Sequence, residues 1–191
     1  MNSETNSNAK SKRGLLTILV ILVVVIALAA VFYGTLTEDE DAGLPVNMTR
    51  LLEALPAFTV YDAEGNAVEA ADFTGKPTVI NCWTSWCGPC QSEMPHFNEV
   101  YLEYADEVQF AMINMTSDTS ETYEAATAYI EDGGFEFPVY FDTEALAAIN
   151  LSVRSLPTTF FVNADGEIMV QARGAISKDA LIKGIEIITE K

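Results

Sequence analysis

The apolar run Thr78-Val79-Ile80-Asn81-Cys82-Trp83, followed by Cys87-Gly88-Pro89-Cys90, constrains this chain more than any other stretch. The run is β-rich and lacks alternation, as expected for a strand buried on both faces. Beyond it, Met94, Phe97, Tyr101 and Tyr104 recur at helical spacing. The two cysteines therefore fall between the exit of a buried strand and the start of a helix. A thiol there meets unpaired backbone N–H groups and the positive end of the helix dipole. Both favour thiolate, so Cys87 is expected to titrate below the free value of about 8.5. Cys87 is predicted to be the exposed, activated sulfur. Cys90, one turn further in, is the shielded one, close enough to close a small disulfide ring. Gly88 is expected to permit a tight turn, and Pro89 is preset for a first helical turn. By its chemistry this is a redox pair. Pro95 lies inside the helical pattern and predicts a kink.

The flanking segments alternate strands with helices. Phe58–Tyr61 and Ala67–Ala70 read as a hairpin around Asp62-Ala63-Glu64-Gly65-Asn66. Val108–Met115 reads as a second buried strand. Thr122–Glu131 reads as a helix stopped by Gly133-Gly134, and Pro138–Phe141 as a short strand. Asp142 is placed to cap a short helix carrying Leu146 and Ile149. Thr158–Val162 and Glu167–Arg173 form a second hairpin about Asn163-Ala164-Asp165-Gly166. Ser177 caps a final helix with Leu181, Ile185 and Ile188 on one stripe. This order implies an α/β fold, a mixed central sheet with helices on both faces.

Before this domain, residues 1–14 are polar and basic, with Lys10, Lys12 and Arg13. Leu15–Tyr33 carries no charged residue. At about 1.5 Å per residue it is long enough for the hydrocarbon core of a bilayer. Glu38-Asp39-Glu40-Asp41 follows, so the positive-inside rule puts the N-terminus in the cytoplasm and the remainder outside. The expected organisation is a cytoplasmic N-terminus (1–14), a transmembrane signal-anchor (15–33), an acidic linker (34–48) and a folded domain (49–191). The location is the cell membrane, single-pass. A cleaved signal peptide with Ala27-Leu28-Ala29 as its small-residue site is the alternative. Formal net charge is -18. Such a surface repels nucleic acid, so no nucleic-acid partner is expected.

Asn81-Cys82-Trp83, Trp86-Cys87-Gly88-Pro89-Cys90, Glu93-Met94-Pro95 and Leu156-Pro157-Thr158-Thr159-Phe160-Phe161-Val162 carry a resemblance. Over residues 50–190 the chain resembles the TlpA/ResA-type, membrane-anchored, thioredoxin-like thiol-disulfide oxidoreductases of the redoxin/AhpC-TSA-like superfamily. The resemblance implies a thioredoxin fold with an N-terminal hairpin and an α/β insertion near Thr116–Phe141. It implies Cys87 as the attacking sulfur, Cys90 as the resolving one, and Pro157, preceded by Leu156, as a cis-proline facing them. Trp86 would shape the surface beside Cys87. Glu93 falls where this family places an active-site glutamate. Thioredoxin's buried aspartate is replaced by Asn81, which cannot titrate, so Glu93 is the candidate acceptor for the Cys90 proton. No cofactor is implied beyond the redox-active Cys87–Cys90 disulfide. The implied partners are protein disulfides or dithiols, apocytochrome c as a client, and a CcdA/DsbD-like membrane thiol carrier as reductant.

Gly88-Pro89 is also thioredoxin's dipeptide, whose potential of about -270 mV leans towards a reductant. A thiol oxidase or isomerase for secreted proteins is the alternative within the class. A metal-delivery module with a redox-idle CxxC is the alternative outside it. A structural zinc site needs four ligands, usually as two pairs. No second pair exists, and His96 reads as a helix-surface residue, so no metal is assigned. Thr84, three residues before Cys87, fits a peroxidatic pattern that its surroundings do not. Cys82 reads as a small buried hydrophobe.

Overall fold

The computed structural model describes residues 18–29, 44–117 and 119–190. Residues 18–29 are helical. No helix among the described residues is long and apolar enough to cross a membrane. The span predicted at 15–33 extends past the described helix at both ends. The predicted N-terminus at 1–14 and most of the linker also lie outside the described residues. The compact unit Gly43–Lys191 is treated by itself below.

Its sheet has eight strands in the order β1-β8-β7-β4-β5-β6-β2-β3. They are β1 (Met48–Ala54), β2 (Thr59–Tyr61), β3 (Ala67–Glu69), β4 (Thr78–Trp83), β5 (Gln109–Asn114), β6 (Val139–Phe141), β7 (Thr158–Val162) and β8 (Glu167–Arg173). The helices are α1 (Gly88–Tyr104), α2 (Tyr123–Gly133), α3 (Leu146–Asn150) and α4 (Lys178–Thr189). β4 is buried along its whole length. It runs parallel to β5 and antiparallel to β7. The sheet is therefore mixed, and β4 delivers the chain to the cysteines from its middle.

Alternate side chains of β4 serve two cores, because successive Cβ atoms point to opposite faces. Val79 and Trp83 pack with Met94, Phe97 and Val100 of α1 and with Leu181, Ile185 and Ile188 of α4. Ile80 and Cys82 pack with Phe73, Ala147 and Leu151 on the other face. Helices thus cover both faces, as the element order predicts, and Cys82 is a free, fully buried thiol.

Caps set the helix ends. Thr122 Oγ1 accepts from Ala125 N, and Ser177 Oγ from Ala180 N. Gly134 closes α2 with φ 62, the left-handed conformation glycine adopts at no steric cost. Asp142 caps α3 from a distance, its carboxylate accepting from Ala147 N and Ala148 N. In this short helix Ala147 turns fully inward, while Ile149 is exposed. α1 continues through Pro95 as one uninterrupted helix.

β1 is an element the periodicity does not reveal. It pairs only with β8, and its register slips between Arg50 and Glu53. An edge strand with a bulge buries no alternating set of side chains, so it leaves no period-two signal.

Candidate active site

Cys87 is the N-cap of α1. Its carbonyl accepts the first helical bond, from Gln91 N at 2.9 Å, and its sulfur accepts from Cys90 N at 3.2 Å. Pro89 sits in the first turn, as expected. Cys87 and Cys90 are joined as a disulfide. Cys90 is fully buried, whereas Cys87 keeps 6 % of its surface exposed. The predicted asymmetry is present, but Cys87 is far less open than expected. Its sulfur is bonded to a buried atom and turned towards the helix, which draws it inward. Trp86, 59 % exposed, is the prominent side chain beside it. Gly88 has no positive φ, and a Cβ there would meet nothing within 4 Å. The tight turn expected of Gly88 is thus not required, because the residue already lies in the helix.

Behind Cys90 lies Glu93, 1 % exposed. Its Oε1 accepts from Asn81 Nδ2 at 2.9 Å and its Oε2 from Ile176 N at 2.9 Å. Asn81 Nδ2 also donates to Thr159 Oγ1 at 3.0 Å. The carboxyl therefore links α1, the central strand and the loop before α4. Burial pushes Glu93 up to about 7, against the opposing pull of the bonds from Ile176 N and Asn81. A carboxyl in that range changes protonation near neutral pH.

A second buried carboxylate is bonded to the loop that precedes Cys87. Glu121, also 1 % exposed, accepts from Ser85 N at 2.7 Å and Asn114 Nδ2 at 2.6 Å through Oε1, and from Ser85 Oγ at 2.8 Å through Oε2. Gln91 Nε2 donates to Ser85 O at 2.6 Å, so every polar group of Ser85 is engaged. Sequence reasoning missed Glu121. An acid just before a helix is a common solvated residue, and nothing in Ser120-Glu121-Thr122 signals burial.

Pro157 follows Leu156 through a cis peptide bond. Thr158 pairs with Cys82, so Pro157 sits at the end of the sheet where the chain leaves β4 for the cysteines. Leu156 is half-buried and touches both cores. Three buried polar atoms without partners, Asn81 Oδ1, Trp83 Nε1 and Thr84 Oγ1, belong to this same exit from β4. His96 is half-buried on α1. Among the described residues, no group of three or more His, Cys, Asp or Glu side chains could hold a metal ion.

A mixed sheet that feeds a CxxC into a helix N-terminus, beside a cis-proline, is the arrangement of a thioredoxin-like thiol-disulfide oxidoreductase. Residues 51–171 match the AhpC/TSA family, and the chain belongs to it. It is similar to the thiol-disulfide oxidoreductase ResA of Bacillus thuringiensis, at 29 % identity over 94 % of this chain and 99 % of the relative. Among solved structures it is similar to one named for a DsbE thiol:disulfide interchange protein from Chlorobium tepidum. That match has a TM-score of 0.63 and 27 % identity over 71 % of this chain and 95 % of that one. StoA from Bacillus subtilis gives a TM-score of 0.60 and 26 % identity, covering 69 % and 98 %.

Proposed function

We propose that this protein reduces disulfides in polypeptides outside the cytoplasm, tethered to the membrane by its apolar N-terminal segment. In the first step the Cys87 thiolate attacks a substrate disulfide. One Cys87–substrate bond forms, the substrate S–S bond breaks, and the released thiolate takes a proton from solvent. Cys90 then gives its proton to Glu93 and attacks the Cys87 sulfur. The second substrate thiolate leaves, and the Cys87–Cys90 disulfide closes, two electrons having passed to the substrate. A membrane dithiol carrier of the CcdA/DsbD kind would return the pair to the dithiol. Apocytochrome c, whose haem-binding cysteines must be reduced before attachment, is the proposed client.

The observation that carries this mechanism is the buried Glu93 carboxyl, near 7, one turn beyond the buried Cys90. It supplies the proton acceptor that Asn81, in the buried aspartate's place, cannot. Support for tethering is the uncharged run 15–33 with basic residues before it and acidic residues after. The full chain in detergent should reduce insulin with dithiothreitol as reductant, and Cys87→Ser should abolish the turnover. Cys90→Ser should accumulate mixed disulfides with clients. If Cys87→Ser retains the activity, or Cys90→Ser captures nothing under oxidising conditions, the assigned roles are wrong.

A further inference from the structure

We infer that Glu121 is a positioning residue whose buried negative charge, clamped to Ser85, disfavours the Cys87 thiolate and holds the cysteine pair towards its disulfide. The mechanism above makes no use of this carboxylate. It is as buried as Glu93, and three donors converge on it: Ser85 N, Ser85 Oγ and Asn114 Nδ2. All three are neutral, so they stabilise the charge without cancelling it. Glu121 is itself fixed, because Ser117 N donates to its carbonyl and its own N–H donates to Ser117 Oγ. It immediately precedes Thr122, the N-cap of α2, and the positive end of that helix favours a carboxylate there.

Ser85 is two residues from Cys87 and has no polar group left free to adjust. Thr84 O accepts from Cys87 N at 3.3 Å, which ties the sulfur-bearing residue to the same loop. The buried carboxylate is thus fixed to the loop that leads into the attacking cysteine. Reduction of the disulfide takes two electrons and, when Cys87 remains ionised, one proton. It creates a thiolate that a nearby carboxylate repels. Such repulsion favours the disulfide and makes the dithiol a stronger reductant.

The inference rests on the Cys87–Cys90 pair being the redox centre proposed above. Its test compares variant with parent. A parent that fails to reduce insulin defeats the proposed function and still leaves the shift measurable. Glu121→Gln is the informative variant. Its carbonyl still accepts from Ser85 N and Asn114 Nδ2, and its amide can donate to Ser85 Oγ, so the clamp survives while the charge goes. Full-length chains equilibrated with a dithiol redox buffer, at a pH where Cys87 is ionised, should show Glu121→Gln shifted about tenfold towards the dithiol, about 30 mV less negative. Ser85→Ala removes a donor and keeps the charge, and should stay within about threefold of the parent. Glu121→Gln within about twofold of the parent overturns the inference. So does Ser85→Ala moving about tenfold towards the dithiol, which would assign the effect to loop geometry. The Ser85→Ala arm can still overturn the inference if Glu121→Gln fails to fold.

Discussion

The helix after Cys90 and the loop before Cys87 each engage one glutamate buried to the same extent, and they hold it differently. Glu93, beyond Cys90, has two recorded donors on its carboxyl, and burial outweighs them, raising it to about 7. Glu121, on the Cys87 side, gathers three donors and precedes a helix N-terminus. The contrast shows that burial alone does not define a carboxylate's role. At Glu93 burial outweighs the donors, whereas at Glu121 three donors tie the carboxylate to the loop before Cys87 and to β5.

The largest test of this contrast is truncation. Glu121→Ala strands Ser85 N and Asn114 Nδ2 without acceptors. At about 1–3 kcal/mol for each buried unsatisfied group, it should cost roughly 2–6 kcal/mol in urea unfolding at neutral pH. Glu93→Ala also strands two donors, but it removes a carboxyl that burial disfavours as an ion, so it should cost less. An equal or greater loss from Glu93→Ala would erase the distinction.

Next is the pH dependence of stability. Glu93 binds its proton more tightly in the folded chain than in the unfolded one, where its ordinary value is 4.5. Between pH 4.5 and about 7 the native state therefore holds the extra proton, and stability falls as pH rises through that window. The full loss above it is on the order of 3 kcal/mol. Glu93→Gln should remove this component from denaturation curves taken across the window. If the variant and the parent follow the same slope, Glu93 is not the group responsible.

A smaller effect should separate Asn81 from its neighbours. Asn81→Ala deletes a donor to Glu93 Oε1 and should move the pH profile of mixed-disulfide resolution to higher pH by up to about one unit. An unmoved profile would remove Asn81 from the proton path. The smallest effect belongs to a side chain that faces the other core. Cys82→Ala, on the opposite face of β4, should cost about 1 kcal/mol and leave insulin reduction unchanged.

Most of the fold was legible because strong local patterns coincide with burial. β4, β5 and β7 are apolar runs, α4 shows its stripe, and Gly134 and Ser177 mark helix ends. The cysteines and Pro157 were legible as a spaced set. β1 and Glu121 were not. The strand is one-sided, with Leu52 at φ 55 interrupting its pairing. Glu121 acquires its partners from Ser85 and Asn114, 36 and 7 residues away.

The sequence by itself settled what the chain can do chemically: two sulfurs at a strand-to-helix junction, with an asparagine where an acid could have stood. Tertiary structure alone decided how that chemistry is tuned. Burial depth, donor count and fixed charge depend on which distant segments close around the cysteines. The motifs around Cys87 and Glu93 marked both residues, but not the shelter of the first or the burial of the second, and nothing beside Glu121 marked its clamp.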